Sequence, residues 1–408
     1  MNGRVHGCVF GRVFGHVLGP LALLGLLAPQ AQADWDFAPA VDVAAGKGLF
    51  HHLEASGRQA LALSGDRVAL VWEDDRSGNP RCYLAIKTDG QAPFKEQAFG
   101  QGECFAPGIA ALDNGRFAVI WEDETGINTA RVDAALGPAL RLSDKGGQAA
   151  LAWHPALGLQ ATWTRPEGRH QRLWLGRLEQ ADHGALRLST PEPLEAQPPK
   201  DDQMYPALAA CGPGFTLTWE DRRLGHTVIF SSTSPDGRTW SLPTRVSHNA
   251  TGKAQGTDLG RGTGAMRPAL ACAGEKPVTV WLDKRDFLSG YDVYAALPGQ
   301  KKNTKVQDSF GDAIAQWHPA AAGNARGDLV VAWDDDRDGT QDIWLSKQTV
   351  DGSFAENTAP PPAAGPNQQS DPVLVLDGMG TLHLAWVERS PEGESRLRYT
   401  TGRPVSQP

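Results

Sequence analysis

Short apolar runs that end in tryptophan recur along the chain, each bounded by polar turns. They read Val-Ala-Leu-Val-Trp72, Phe-Ala-Val-Ile-Trp121, Leu-Gln-Ala-Thr-Trp163, Phe-Thr-Leu-Thr-Trp219, Pro-Val-Thr-Val-Trp281, Leu-Val-Val-Ala-Trp333 and Leu-His-Leu-Ala-Trp386. Runs this short, rich in β-branched and aromatic residues and flanked by turn-formers, predict buried strands rather than helices. Successive tryptophans lie 49, 42, 56, 62, 52 and 53 residues apart, the period of one four-stranded propeller blade. A run opening with proline precedes most of them, at Pro107, Pro155, Pro206, Pro268, Pro319 and Pro372. Its small residues suit an innermost strand crowded against the axis, and proline is tolerated at a strand's first residue. After the tryptophan come an acidic turn, a third strand such as Asp342-Ile-Trp-Leu-Ser, and often an outer strand such as Trp240-Ser-Leu-Pro-Thr-Arg-Val246.

The seventh unit stops at its third strand, near Tyr399, with no outer strand left. The segment Trp35-Asp-Phe-Ala-Pro-Ala-Val41 resembles the outer strand Trp240–Val246. The expected fold is therefore all-β, a seven-bladed β-propeller whose N-terminal strand joins the last blade, with six blades as the alternative count. Such closure removes the open sheet edges of an incomplete ring.

Composition agrees. With 46 Gly and 29 Pro among 408 residues, long helices are disfavoured, and 40% hydrophobic content excludes a disordered chain. Residues 1–33 read as a signal peptide: Arg4 and Arg12, an apolar stretch from Val13 to Ala28, and the small-residue site Ala31-Gln32-Ala33. Residues 34–408 then form a single propeller domain with no later membrane span. Losing two arginines takes the formal charge from -8 to -10, and no Lys/Arg run offers the footprint that nucleic acid requires. Export to the periplasm or beyond permits disulfides. Cys211 and Cys272 end the innermost strands of neighbouring blades and are expected to bond. Cys82 opens the third strand of blade 1 and Cys104 lies at the entry to blade 2, so these two form the remaining pair.

The most repeated chemical feature follows each blade tryptophan. Two residues on lies an acid in six units (Asp74, Asp123, Asp221, Asp283, Asp335 and Glu388), and four residues on lies an arginine in four (Arg76, Arg223, Arg285 and Arg337). Two readings stand. Asp favours turns by accepting their N–H groups and Arg grips carboxylates with two prongs, which is architecture. Alternatively, some of these arginines face the central mouth and hold an anionic ligand. The loops entering the innermost strands vary more. They carry Trp153-His154, Tyr205, Arg267 and Trp317-His318, expected to ring one channel entrance and either stack on a sugar or plug the channel. The stretch from Asp334 to Gly339 opens like a calcium loop, but its twelfth position is Leu345, where the bidentate Glu belongs. No cofactor is expected, with calcium at this stretch kept as the alternative.

Ser234-Pro-Asp236-Gly237-Arg-Thr-Trp240 looks like an Asp box shortened by one residue, with a weaker copy at Thr349-Val-Asp351-Gly352-Ser-Phe354 and a remnant at Thr88-Asp89-Gly90. On these motifs the chain resembles the sialidase-like (Asp-box, or BNR-repeat) propellers of exported bacterial proteins. The resemblance implies that the boxes are structural turns between third and outer strands, away from the active face. Sialidases carry a Phe/Tyr-Arg-Ile-Pro segment that is missing here, and the family more commonly has six blades. The expected function is an exported, monomeric binding or interaction module for a glycan, an anionic ligand or an envelope protein. The alternative is a sialidase-like glycoside hydrolase, and the third possibility an accessory subunit of an envelope complex.

Overall fold

The computed structural model describes residues 35–44, 50–53, 57–90, 92–181, 184–197, 199–248, 264–285 and 290–405. The expected leader, residues 1–33, lies outside the described residues. Seven antiparallel sheets follow one another along the chain, one for each tryptophan-ending run, and no α-helix occurs among the described residues. The chain is a seven-bladed β-propeller.

Blade 2 shows the pattern most plainly: Cys104–Ala111 innermost, then Phe117–Asp123, Gly126–Val132 and an outer Leu140–Ser143. Blade 6 departs from it. Its sheet has three strands, Trp317–Gly323, Leu329–Asp335 and Asp342–Lys347, and single bridges at Thr358 and Phe354 stand in for the fourth. The ring closes as expected. Trp35–Phe37 and Val41–Asp42 pair antiparallel with the last strand, Ser395–Pro404, in the register Trp35↔Pro404 through Asp42↔Arg398.

The second strand of each blade carries the repeated tryptophan near its end, and six of the seven are fully buried, with Trp121 at 2% exposure. Each such ring removes roughly 150–250 Å² from water, on the order of 5 kcal/mol before entropy is subtracted. Disulfides Cys82–Cys104 and Cys211–Cys272 tie blade 1 to blade 2 and blade 4 to blade 5, the pairing expected from blade position.

One expectation needs correction. Five of the proline-opened runs are innermost strands, but Pro155 is not at such a start. Blade 3's innermost strand is Gly147–His154, so Trp153 and His154 end it, at the opposite end of the channel from the entering loops. The proline there belongs to the turn into the second strand, and proline alone does not distinguish the two turns. The other prolines sit inside their strands at a register shift, for example between Met204 and Ala207 or Met266 and Ala269. A residue without an N–H is harmless at a bulge, where no ladder bond is due.

Candidate functional site

The turn after each tryptophan is a clasp. In blades 1, 2, 4, 5 and 6 the indole N–H donates to the acid two residues on, at 2.8, 2.7, 2.9, 2.8 and 2.9 Å for Asp74, Asp123, Asp221, Asp283 and Asp335. That acid accepts the backbone N–H of Arg76, Arg223, Arg285 and Arg337 and pairs with the guanidinium of the same arginine. Each guanidinium also lies over an aromatic ring of the third strand: Tyr83 at 4.3 Å, Phe230 at 4.6 Å, Tyr294 at 4.0 Å and Trp344 at 4.3 Å. A second acid completes three of the clasps, with Glu96, Glu195 and Asp308 bound to Arg76, Arg223 and Arg337. All four arginines are thus engaged within the fold, by the acid of their own turn and, for Arg223 and Arg337, by an acid from the end of the preceding blade. In blade 7, Glu388 lies 4.0 Å from Arg398 instead. The Asp-box-like turns close on themselves, Asp236 accepting from Ser234, Arg238 and Thr239, and they join third to outer strands on the opposite face, with Gly237 left-handed and Trp240 half-buried.

Between tryptophan and aspartate stands a residue that points the other way, and in four blades it is acidic. Glu73 accepts the N–H of Ala106, Glu122 that of Gln148, Glu220 that of Arg267 and Asp334 that of Asp371. Every acceptor lies in one blade and its donor in the next, so these carboxylates stitch neighbouring blades together at the mouth. The four residues that donate to them, together with Tyr205 and His318 at the matching position of two more blades, share an unusual backbone. Ala106, Gln148, Tyr205, Arg267, His318 and Asp371 have φ of 50, 54, 49, 55, 47 and 56°, and all but Gln148 precede proline. Left-handed backbone at non-glycine residues is costly and persists only where the surroundings impose it. It recurs near the mouth-side start of six of the innermost strands.

The mouth therefore gathers titratable groups from several blades. Tyr205 lies beneath the Arg267 guanidinium, 4.0 Å from ring centre to Cζ. His318 sits between two carboxylates, its Nδ1 2.7 Å from Asp334 and its Nε2 3.5 Å from Asp371. Burial pushes the Glu220 carboxyl up to about 7, against the pull of the Arg267 N–H and guanidinium. Below, blade 1's segment Gly57–Gln59 crosses the axis: a methyl group on Gly57 would stand 2.7 Å from the Pro206 carbonyl of blade 4. Arg58 seals this throat, donating to the Ala106 carbonyl at 3.0 Å with Glu122 3.5 Å away, and leaves a cavity of only about 20 Å³. A separate chamber of about 330 Å³ lies beyond it, walled by the ends of the innermost strands and by Trp153. His154, at that far end, binds the Gly212 carbonyl.

The rim carries a further signature. Among the described residues, the exposed Phe and Trp side chains are Phe50, Phe105, Phe310 and Trp317. All four precede or open an innermost strand, on the mouth face. Of the expected mouth residues, Tyr205, Arg267, Trp317 and His318 are here, while Trp153 and His154 are not. Glu220, Asp371, Arg58 and the three phenylalanines were not singled out from sequence, and Asp334 was noted there only as the start of the calcium-like stretch. The acid between Trp and Asp was visible in Trp72-Glu-Asp, Trp121-Glu-Asp, Trp219-Glu-Asp and Trp333-Asp-Asp, and strand alternation would have turned it to the other face.

The acids of Asp334–Gly339 do not converge on a cation: Asp334 serves His318 and Asp371, and Asp335 serves Trp333 and Arg337. His170, Asp201 and Asp202 bring ligand atoms within 4.8 Å of one another, but the two carboxylates already accept backbone N–H groups of Asp202 and Gln171.

No protein-family model and no curated protein sequence matches the chain. Solved structures do. A Penicillium chrysogenum α-L-arabinanase complexed with arabinobiose superposes at a TM-score of 0.52 and 13% identity, over 90% of this chain and 98% of that one. The polysaccharide lyase Uly1 does so at 0.56 and 10% identity, over 87% and 91%. A Dyadobacter fermentans protein of unknown function matches at 0.51 and 10% identity, over 91% and 100%. At these identities the likeness establishes the propeller fold alone.

Proposed function

We propose that the protein is a glycan-cleaving enzyme working at the channel mouth, a glycoside hydrolase by reaction class. The observation that carries this reading is the meeting, on one face, of proton-transfer groups and exposed aromatics. Glu220 keeps its proton close to neutral pH, and His318 is held between Asp334 and Asp371. Phe50, Phe105, Phe310 and Trp317 are exposed on the same face, flat apolar surfaces on which a sugar ring can lie. Two proteins of the same fold are named as an arabinanase and a polysaccharide lyase, although a shared fold alone decides no function.

In this reading Glu220 gives its proton to the leaving glycosidic oxygen as the C–O bond breaks. His318 takes a proton from the water that attacks the anomeric carbon, and Asp334 orients its imidazole. Arg267, stacked on Tyr205, makes an acidic sugar the first substrate to try, in keeping with the sialidase-like resemblance. Two disulfides suit an oxidising compartment, and we place the monomer in the periplasm or outside the cell.

One specific observation favours a rival, glycan recognition without turnover: Glu73, Glu122 and Asp334 make the same bond to the next blade as Glu220 does. The test is an assay of the mature chain on arabino-oligosaccharides, sialosides and oligogalacturonides, reading new reducing ends and unsaturated products separately. We expect reducing ends without unsaturation, a rate that falls as pH rises through about 7, and a loss of about 100-fold or more in Glu220→Gln. Binding without turnover in every case would establish the rival.

A further inference from the structure

The seam where the ring closes is hollow. Between blades 7 and 1, on the face opposite the mouth, lies a groove of about 950 Å³, at the upper end of the range for small-molecule sites. The closing strand supplies Asp36 to one wall, and the first turn of blade 1 supplies Asp66 to the other. Lys87 and Arg403 also line it, and His383 and Tyr399 of blade 7 form its more buried part.

This buried part is polar and uncharged. His383 Nδ1 and Tyr399 Oη are 2.6 Å apart, and Tyr399 is only 3% exposed. Burial lowers the imidazole and raises the phenol, so both are neutral near pH 7. The other ring nitrogen, Nε2, has no hydrogen-bond partner among the described residues, and His383 lines the groove. At the rim, the carboxylates of Asp36 and Asp66 are exposed and likewise unpartnered among the described residues. Two further wall acids are occupied at least in part: Asp89 accepts the Ala92 N–H, and Asp377 those of Met379 and Thr381.

We propose that this groove is a second binding site, remote from the mouth, and that it takes a neutral oligosaccharide. Its chemistry selects against the other classes. An anionic ligand would face four wall acids against Lys87 and Arg403. An apolar ligand would strip water from the His383–Tyr399 pair and the rim carboxylates without replacing their hydrogen bonds, which is costly. Sugar hydroxyls both donate and accept. They satisfy the carboxylates at the rim and, whichever tautomer His383 holds, the free nitrogen in the buried part. The site depends on the groove's own groups and stands whether or not the mouth is catalytic.

The experiment is calorimetric titration of the mature chain with cellotriose, chitotriose and arabinobiose, and with trigalacturonate as the anionic control. At least one neutral sugar should bind and trigalacturonate should not compete with it. Asp66→Arg, a surface change, and Tyr399→Phe, which keeps the ring packed edge-on against Phe94, should each weaken it by about tenfold. Glu220→Gln should leave that affinity within about twofold. Failure of all three neutral sugars to bind overturns the proposal, as does binding that Glu220→Gln abolishes and Asp66→Arg spares. Turnover at the mouth with no groove binding sinks this proposal alone, whereas groove binding with no turnover sinks only the hydrolase reading.

Discussion

Glu220 shows how one residue departs from a repeated role. Glu73, Glu122 and Asp334 stitch blades together in the same way, yet burial at Glu220 raises its carboxyl to about 7. Its folded pKa exceeds the ordinary carboxylate value, so the native state holds a proton that the unfolded chain releases. Its contribution to stability is therefore complete below about pH 4.5 and is lost as pH rises to about 7. Glu220→Gln can still accept the Arg267 N–H and has no charge to bury. We expect it to match the native protein near pH 4.5 and to exceed it above pH 7 by up to about 3 kcal/mol, measured by denaturant titration across that range. His51 runs the other way. Burial lowers its pKa to about 4, so the stability it contributes above the ordinary histidine range is lost as pH falls toward 4.

At the scale of the element, the tryptophan turn behaves as one unit. Indole, aspartate, arginine and a third-strand aromatic are packed so that removing one member strands the others. Arg337 is the extreme case, with 0% side-chain exposure and ion pairs to Asp335 and Asp308. Arg337→Ala leaves the buried Asp335 carboxylate uncompensated and should cost about 3–5 kcal/mol, read as a fall in the denaturant midpoint. Sugar affinity of the folded fraction should stay unchanged. Retained stability with lost binding would show that this arginine serves a ligand instead. Most of the clasp was legible, because Trp-x-Asp-x-Arg recurs in sequence. Its aromatic lid was not, since Tyr83, Phe230, Tyr294 and Trp344 reach it only through the register of the next strand.

The whole molecule is a ring, and its stability is the stability of its closure. Trp35, 5% exposed, packs into the core shared by blades 6 and 7 and donates its indole N–H to the Gly380 carbonyl at 3.0 Å. Deleting residues 35–44 would expose the edge of Ser395–Pro404 along its whole length, and such edges template aggregation. We expect that deletion to lower the melting temperature by at least about 5 °C and to make unfolding irreversible, seen by calorimetry with light scattering. Unchanged, reversible melting would place the closure elsewhere.

The blade repeat, the ring closure, both disulfides and the Trp-x-Asp-x-Arg pattern of the clasp were determined by the sequence itself, because each rests on a local pattern repeated at one period. The mouth was decided by the tertiary structure. Tyr205, Arg267, His318 and Asp371 belong to different blades, and what unites them is a shared left-handed backbone imposed by neighbouring blades. Proline marked that position in five blades but misled in the third, where Pro155 lies at the other end of the strand and Gln148 holds the place. The seam groove had no sequence signal at all. Its walls come from residues more than 300 positions apart, and only the closing of the ring brings them face to face.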